Sequence, residues 1–170
     1  VYKLHVVCPH PAFRLAGFSM SFSSSINLSS VNGSTGFRLD GVAAGDQSGL
    51  SVASAGDVNG DGFADVIIGA NEADPNGSSG SGSSYVVFGK ASGFTSAINL
   101  SSLNGTTGFR LDGVAAGDFS GYSVAAAGDV NGDGRADLVI GAYSAAPNGN
   151  SGAGSSYVYF SPASGGATYR

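Results

Sequence analysis

Apolar residues along this chain come in short runs, which are separated by stretches rich in glycine, serine and asparagine. The run at 65–69 is rich in β-branched residues, which suits a strand buried on both faces. The stretch NEADPNGSSGSG at 71–82 has the composition of a loop. The pattern therefore predicts four short strands, at 51–55, 65–69, 84–88 and 108–112, and the INL at 98–100 can contribute to the fourth.

The whole pattern occurs twice, at a shift of 72 residues. Residues 26–89 and 98–161 are identical at 49 of 64 positions. Four short antiparallel strands per repeat are typical of a propeller blade. We therefore predict an all-β fold made of β-propeller blades, each a four-stranded antiparallel sheet, in two tandem 72-residue repeats. The predicted divisions are an N-terminal segment of unknown role at 1–25, repeat 1 at 26–97 and repeat 2 at 98–170.

The order of the predicted strands leaves one of them without a blade. The stretch GFRLD at 36–40 repeats the fourth strand at 108–112 but precedes the first complete set. Two blades cannot close a ring alone, because each needs a neighbour on both faces. We expect either a fragment of a longer array or self-association, in which strand 36–40 completes a blade of another chain and forms a ring or a filament.

Composition excludes several classes of function. The net charge of −5 offers no basic face for nucleic acid. No apolar run approaches the roughly 18 residues that a membrane span needs. Cys8 is the only cysteine, so no intrachain disulfide can form. His5 and His10 flank it, and we favour an incidental grouping over a metal or nucleophile site.

Six of the twelve acidic residues are concentrated in two short loops. Each loop offers side-chain oxygens at positions 1, 3, 5 and 9 and a backbone carbonyl at position 7. Oxygen-only, flexible coordination is what Ca²⁺ accepts, whereas zinc prefers histidine or cysteine. The sequence predicts two structural Ca²⁺ sites, formed by Asp57, Asn59, Asp61, Phe63 and Asp65, and by Asp129, Asn131, Asp133, Arg135 and Asp137.

Two other structures could account for these acidic loops. Asp, Asn and Gly favour turns without any metal, but three carboxylates in one turn repel each other unless a cation lies between them. An EF-hand-like loop of the dockerin type would place an acidic ligand at position 12, where this chain has Ile68 and Ile140. For the other recurring acids, Asp40, Asp46, Asp112 and Asp118, we predict roles in turns or at strand ends, and we expect Glu72 and Asp74 to be solvated.

The segments GLSVASAGDVNGDGFADVIIGA and GYSVAAAGDVNGDGRADLVIGA resemble the FG-GAP repeats of integrin α-chain propellers and their bacterial relatives. The resemblance covers about 26–161. Two features depart from the family pattern: Asn71 and Tyr143 replace a usual proline, and Leu50 and Tyr122 replace the usual Phe-Gly start. The resemblance implies a β-propeller and an adhesive role outside the cell, on a secreted or cell-surface protein.

The repeats contain no nucleophile elbow, no phosphate-binding loop and no histidine that could act as a base. We therefore expect a non-enzymatic, Ca²⁺-stabilised module for adhesion or protein–protein interaction, whose partners are copies of itself or other protein or glycan ligands. One alternative is a self-assembling structural subunit built by strand exchange. Another is an accessory domain of a larger secreted enzyme.

Overall fold

The computed structural model describes residues 23–162 of the 170. Contacts divide the chain into two units, Val1–Ser30 and Val31–Arg170. In the first unit, the described residues include a single 3₁₀ turn, Leu28–Ser30, where the Asn27 side chain accepts a hydrogen bond from the Ser29 N–H. The second unit holds all the strands in the described part of the chain.

Nine strands occur between residues 23 and 162. They are β1 (Arg38–Asp40), β2 (Ser51–Gly56), β3 (Asp65–Ala70), β4 (Ser83–Val87), β5 (Ala97–Asn99), β6 (Gly108–Asp112), β7 (Ser120–Gly128), β8 (Asp137–Ala142) and β9 (Ser155–Tyr159). The other regular elements between residues 31 and 162 are short 3₁₀ turns at Pro75–Gly77, Leu100–Ser102 and Pro147–Gly149. The protein is therefore all-β, as the sequence predicts.

The strands form two antiparallel blades and one small parallel pair. Blade 1 has the order β2-β3-β4-β6, and blade 2, in the described residues, has the order β7-β8-β9. Every pairing within a blade is antiparallel, and the chain passes through β5, outside the blade, between β4 and β6. The tandem-blade prediction is confirmed.

Two apolar clusters hold these sheets together. The first lies between the blades, where Ile67 and Val86 of blade 1 meet Leu138 and Ile140 of blade 2. The second covers the opposite face of blade 1, where Ile68 and Tyr85 pack under Leu100 and Ile98. Both faces of β3 are thus buried, which explains its unbroken apolar run.

The structure corrects the prediction about the stretches at 36–40 and 98–100. The INL stretch does not extend the fourth strand of blade 1. Instead β5 pairs in parallel with β1, with Leu39 opposite Ile98. Both strands pack on the second apolar cluster. The expected orphan strand therefore exists, and β5 lies along one of its edges.

Candidate metal centre

The first acidic loop joins β2 to β3, two antiparallel neighbours in blade 1. A tight connection here must curl its backbone inward. Gly60 and Gly62 make this possible at φ angles of 76° and 88°, which residues with a side chain rarely adopt.

Backbone N–H groups draw the side chains of Asp57, Asn59 and Asp61 together. Asp57 Oδ1 and Asn59 Oδ1 both accept from the Asp61 N–H, at 3.1 and 2.9 Å. Asp57 also accepts from the N–H groups of Gly60 and Gly62. Asn59 Nδ2 donates to Asp61 Oδ2 at 2.9 Å. Three of the predicted ligand residues therefore share one hydrogen-bonded turn.

Asp65 is the buried member of the predicted set, with 1% of its surface exposed. Its Oδ2 accepts from the Val58 N–H at 2.9 Å, and its Oδ1 accepts from the Gly89 N–H at 2.7 Å. The side chain thus ties the loop to the end of β4. Burial raises the pKa of this carboxyl, and the two N–H donors offset part of that rise. The negative charges of Asp61 and Asp57 raise the pKa further.

The second loop, between β7 and β8, repeats this arrangement. Asp129 Oδ1 and Asn131 Oδ1 both accept from the Asp133 N–H, at 3.0 and 2.9 Å. Asp137 is fully buried and accepts from the N–H groups of Val130 and Ser161, both at 2.9 Å. The two loops are therefore the same structure, built twice.

The loops also contact each other across the blade interface. Arg135 Nη1 donates to the Asn59 carbonyl at 2.9 Å. The Ala136 N–H donates to the Asp57 carbonyl at 3.2 Å. The Arg135 side chain, at position 7 of the second loop, thus points to the first loop. Only its backbone carbonyl can therefore serve as a metal ligand in the second loop. No local sequence pattern indicates this contact, because its acceptor is a backbone carbonyl 76 residues away.

The donor chemistry of each loop fits a hard cation. Its acceptors are carboxylate, amide and carbonyl oxygens, and each carboxylate oxygen has two lone pairs, so a bound N–H leaves one for a metal. Within residues 23–162, no three acidic, histidine or cysteine side chains converge in a preformed cluster. Asp65 turns to the backbone N–H groups, while the other three predicted side chains gather in the turn.

The remaining acids hold turns and strand ends. Asp46 and Asp118 accept from the N–H groups of Ala43 and Ala115, three residues earlier. Asp40 and Asp112 end β1 and β6, where they form ion pairs with Arg38 and Arg110. The predicted turn and strand-end roles are confirmed. Asp74, expected to be solvated, is exposed but accepts from the Gly80 N–H at 2.6 Å. His5, Cys8 and His10 lie outside the described residues.

A sequence profile of the FG-GAP repeat matches residues 48–87 and again 120–159. The chain carries two FG-GAP repeats. The first match begins three residues before β2 and the second begins with β7, and each ends with the third strand of its blade, so each encloses one acidic loop. A search of curated proteins found no match to the chain.

FG-GAP repeats are typically non-catalytic modules and are typical of extracellular proteins. Among the described residues, no helix is long and apolar enough to cross a membrane. The repeats suggest a β-propeller-type module for protein interaction. The domain divisions at 1–25, 26–97 and 98–170 remain a prediction.

Proposed function

We propose that this chain is a non-enzymatic interaction module whose FG-GAP blades are stabilised by two Ca²⁺ ions, and that it acts in adhesion outside the cell. The observation that carries the proposal is the pair of matching acidic loops. Each gathers Asp, Asn and Asp side chains in one turn and carries a further, buried aspartate four residues later. Such a concentration of negative charge favours a cation.

Calcium is the cation that this donor set suits best. Asp57, Asn59, Asp61 and Asp65 would hold one ion with the Phe63 carbonyl. Asp129, Asn131, Asp133 and Asp137 would hold the other with the Arg135 carbonyl. The ligands are all oxygens on a flexible turn, which Ca²⁺ tolerates and Mg²⁺, with its strict octahedral shell, does not.

The role of each ion would be structural. Each loop links the first two strands of its blade, and its buried aspartate reaches the end of the third strand. An ion in the loop would therefore clamp three strands at one end of the sheet. A site filled by protein ligands leaves little room for a substrate, which agrees with a non-catalytic module.

Calorimetric titration and thermal unfolding test the metal directly. We expect two Ca²⁺ ions per chain, dissociation constants of about 10⁻⁴–10⁻³ M as in extracellular modules, and a stability gain of about 2.7 kcal/mol per site at a hundredfold excess over Kd. Asp61→Asn and Asp133→Asn should each remove one site. Glu72→Gln, outside the loops, is the matched control. Equal stabilisation by Mg²⁺, or no binding at all, would contradict the proposal.

Adhesion needs a separate test, because metal binding alone does not establish a partner. The Ca²⁺-loaded chain should bind saturably to at least one member of a panel of extracellular-matrix proteins and glycans. The chain unfolded by heat is the control for nonspecific adsorption. Absence of binding across the panel would contradict the adhesive role while leaving the calcium sites intact.

A further inference from the structure

Each blade has one surface that faces in the direction of the next blade along the chain, and we call it the forward surface. Matching residues on this surface are buried in blade 1 and exposed in blade 2. Val58 and Val86 of blade 1 are 3% and 0% exposed, because blade 2 covers them. Their counterparts in blade 2, Val130 and Val158, are 53% and 49% exposed. Identical side chains are thus covered in one repeat and uncovered in the other.

Blade 1 holds the next blade in a backbone cradle. Phe119 and Ser120 of repeat 2 donate their N–H groups to the carbonyls of Gly80 and Ser81, both at 3.0 Å. A Cβ atom at Gly82 would collide with the Ser120 backbone. The fit between the blades therefore depends on direct backbone contact.

The counterpart of this cradle in blade 2 is an open cleft of about 430 Å³. Its lining includes Gly154, Ser155 and Ser156, which match the buried Gly82, Ser83 and Ser84. The surface that receives residues 119–121 in blade 1 is thus present again in blade 2.

Repeat 1 contains a segment shaped to enter this cleft. Gln47 has the same φ of 54° as Phe119, which is unusual for a residue other than glycine. Gly49, at φ 93°, matches Gly121, at φ 86°. Gln47 and Gly49 are exposed, whereas Gly121 is buried against blade 1. The inserting conformation is already formed without a partner.

Blade 2 also has an open edge. In blade 1, β6 pairs with β4, and Ser83 Oγ donates to Asp112 Oδ1 across that pair at 3.1 Å. The matching strand β9 has β8 on one side and no neighbour on the other within residues 23–162. An edge with unpaired N–H and C=O groups is a template for another strand.

Strand β1 is the repeat of β6 and keeps the required edge open. The Gly113 N–H donates to the Gly82 carbonyl, and the Phe88 N–H donates to the Thr107 carbonyl. The backbone N–H and C=O groups of odd-numbered residues in and around β6 therefore point toward β4. The counterpart of even-numbered Arg110 is Arg38, whose N–H donates to Ser96 beside β5. The backbone groups of alternate residues point to opposite edges of a strand. The edge of β1 that pairs with β5 therefore corresponds to the edge of β6 that faces away from β4. The other edge of β1, which corresponds to the edge of β6 that pairs with β4, has no partner strand within residues 23–162.

We propose that a second copy of this chain docks head-to-tail on the forward surface of blade 2, repeating the contact between blades 1 and 2. Its β1 pairs with β9, with Asp40 opposite Ser155, and its residues 47–49 enter the cleft at Gly154. The contact is heterologous, so successive copies form a ring or a filament. The inference rests on the blade interface and does not depend on calcium or on an external ligand.

Light scattering over a wide range of protein concentration tests the assembly. We expect the wild-type chain to form assemblies with the mass of two or more chains. Val158→Lys, which places a charge on the forward surface, should remain a monomer. Ala91→Lys adds the same charge in an exposed loop and should assemble normally. Circular dichroism should show both variants folded. A wild-type chain that stays monomeric at every concentration would overturn the proposal.

Disulfide trapping tests the register and the direction of docking. In a Cys8→Ser background, chains carrying Asp40→Cys are mixed with chains carrying Ser155→Cys. A non-hydrogen-bonded pair of this kind lies close enough for a disulfide, so the mixture should yield a cross-linked dimer. Each variant alone should not, and Ser156→Cys in place of Ser155→Cys should fail because its side chain points to the other face. Cross-linking of one variant with itself, or equal trapping at 156, would overturn the head-to-tail arrangement.

Discussion

The buried aspartates of the two loops differ in role from the exposed ones beside them. Asp65 accepts an N–H on each carboxylate oxygen, whereas Asn has one acceptor oxygen and an amide group that would face a donor. We expect Asp65→Asn to lower the free energy of unfolding by about 1–3 kcal/mol even in chelator. Urea denaturation with chelator measures this. Asp61→Asn is the matched variant and should leave that stability nearly unchanged, since Asp61 is exposed; equal losses would contradict the distinction.

Position 7 of the loop provides a second prediction at this scale. Phe63 is 41% exposed, and its counterpart Arg135 directs its side chain to the neighbouring loop. If the carbonyl alone serves the metal, Phe63→Ala should leave the Ca²⁺ affinity of loop 1 within about threefold, well under the 1.4 kcal/mol that a tenfold change requires. Calorimetric titration checks this, and a loss as large as that of Asp61→Asn would show that the side chain matters.

Among the elements, the contact between the loops links the two blades. The Arg135 side chain is half-buried and donates to the Asn59 carbonyl. Hydrogen bonds from a charged donor contribute about 1.5–3 kcal/mol, so Arg135→Ala should lower stability by about that much. Arg38→Ala removes an arginine of an exposed ion pair, which solvent screens, so it should lower stability far less than Arg135→Ala. Comparable losses for the two variants in urea denaturation would contradict the linking role.

The strands of the blades were predictable because their periodicity is local. The prediction for 108–112 matches β6, those for 51–55 and 65–69 end one residue before β2 and β3, and that for 84–88 is shifted by one residue from β4. The parallel pairing of β1 with β5 was not predictable, since it joins residues about sixty positions apart and no local pattern encodes it. The RLD of β1 recurs in β6, yet the two strands have different neighbours.

The candidate site was predictable in its members but not in its arrangement. The spacing of Asp57, Asn59 and Asp61 predicts a common turn, and their hydrogen bonds place them in one. That Asp65 reaches the backbone beyond β4 depends on a contact 24 residues away. Sequence reasoning could not find it, because its partner is a backbone N–H that any residue would provide.

At the scale of the whole molecule, one glycine position, Gly82 in repeat 1 and Gly154 in repeat 2, allows the effect of a substitution on folding to be distinguished from its effect on assembly. Gly82 and Gly154 have similar φ angles of 82° and 76°, so alanine introduces similar backbone strain at both. At Gly82 the added Cβ would also collide with the Ser120 backbone inside the chain. At Gly154 its closest neighbour is the Tyr143 carbonyl at 3.1 Å.

Gly82→Ala should therefore lower the free energy of unfolding by about 1–3 kcal/mol more than Gly154→Ala, since overpacking between the blades adds to the strain. Gly154→Ala should instead block the cleft that receives residues 47–49 of the next copy. We expect it to remain folded by circular dichroism while its mass falls to that of one chain in light scattering. Full-sized assemblies of Gly154→Ala would contradict the docking. If the contact between chains repeats the contact between blades 1 and 2, a Cβ atom at residue 154 must collide with the next chain as one at residue 82 collides with Ser120.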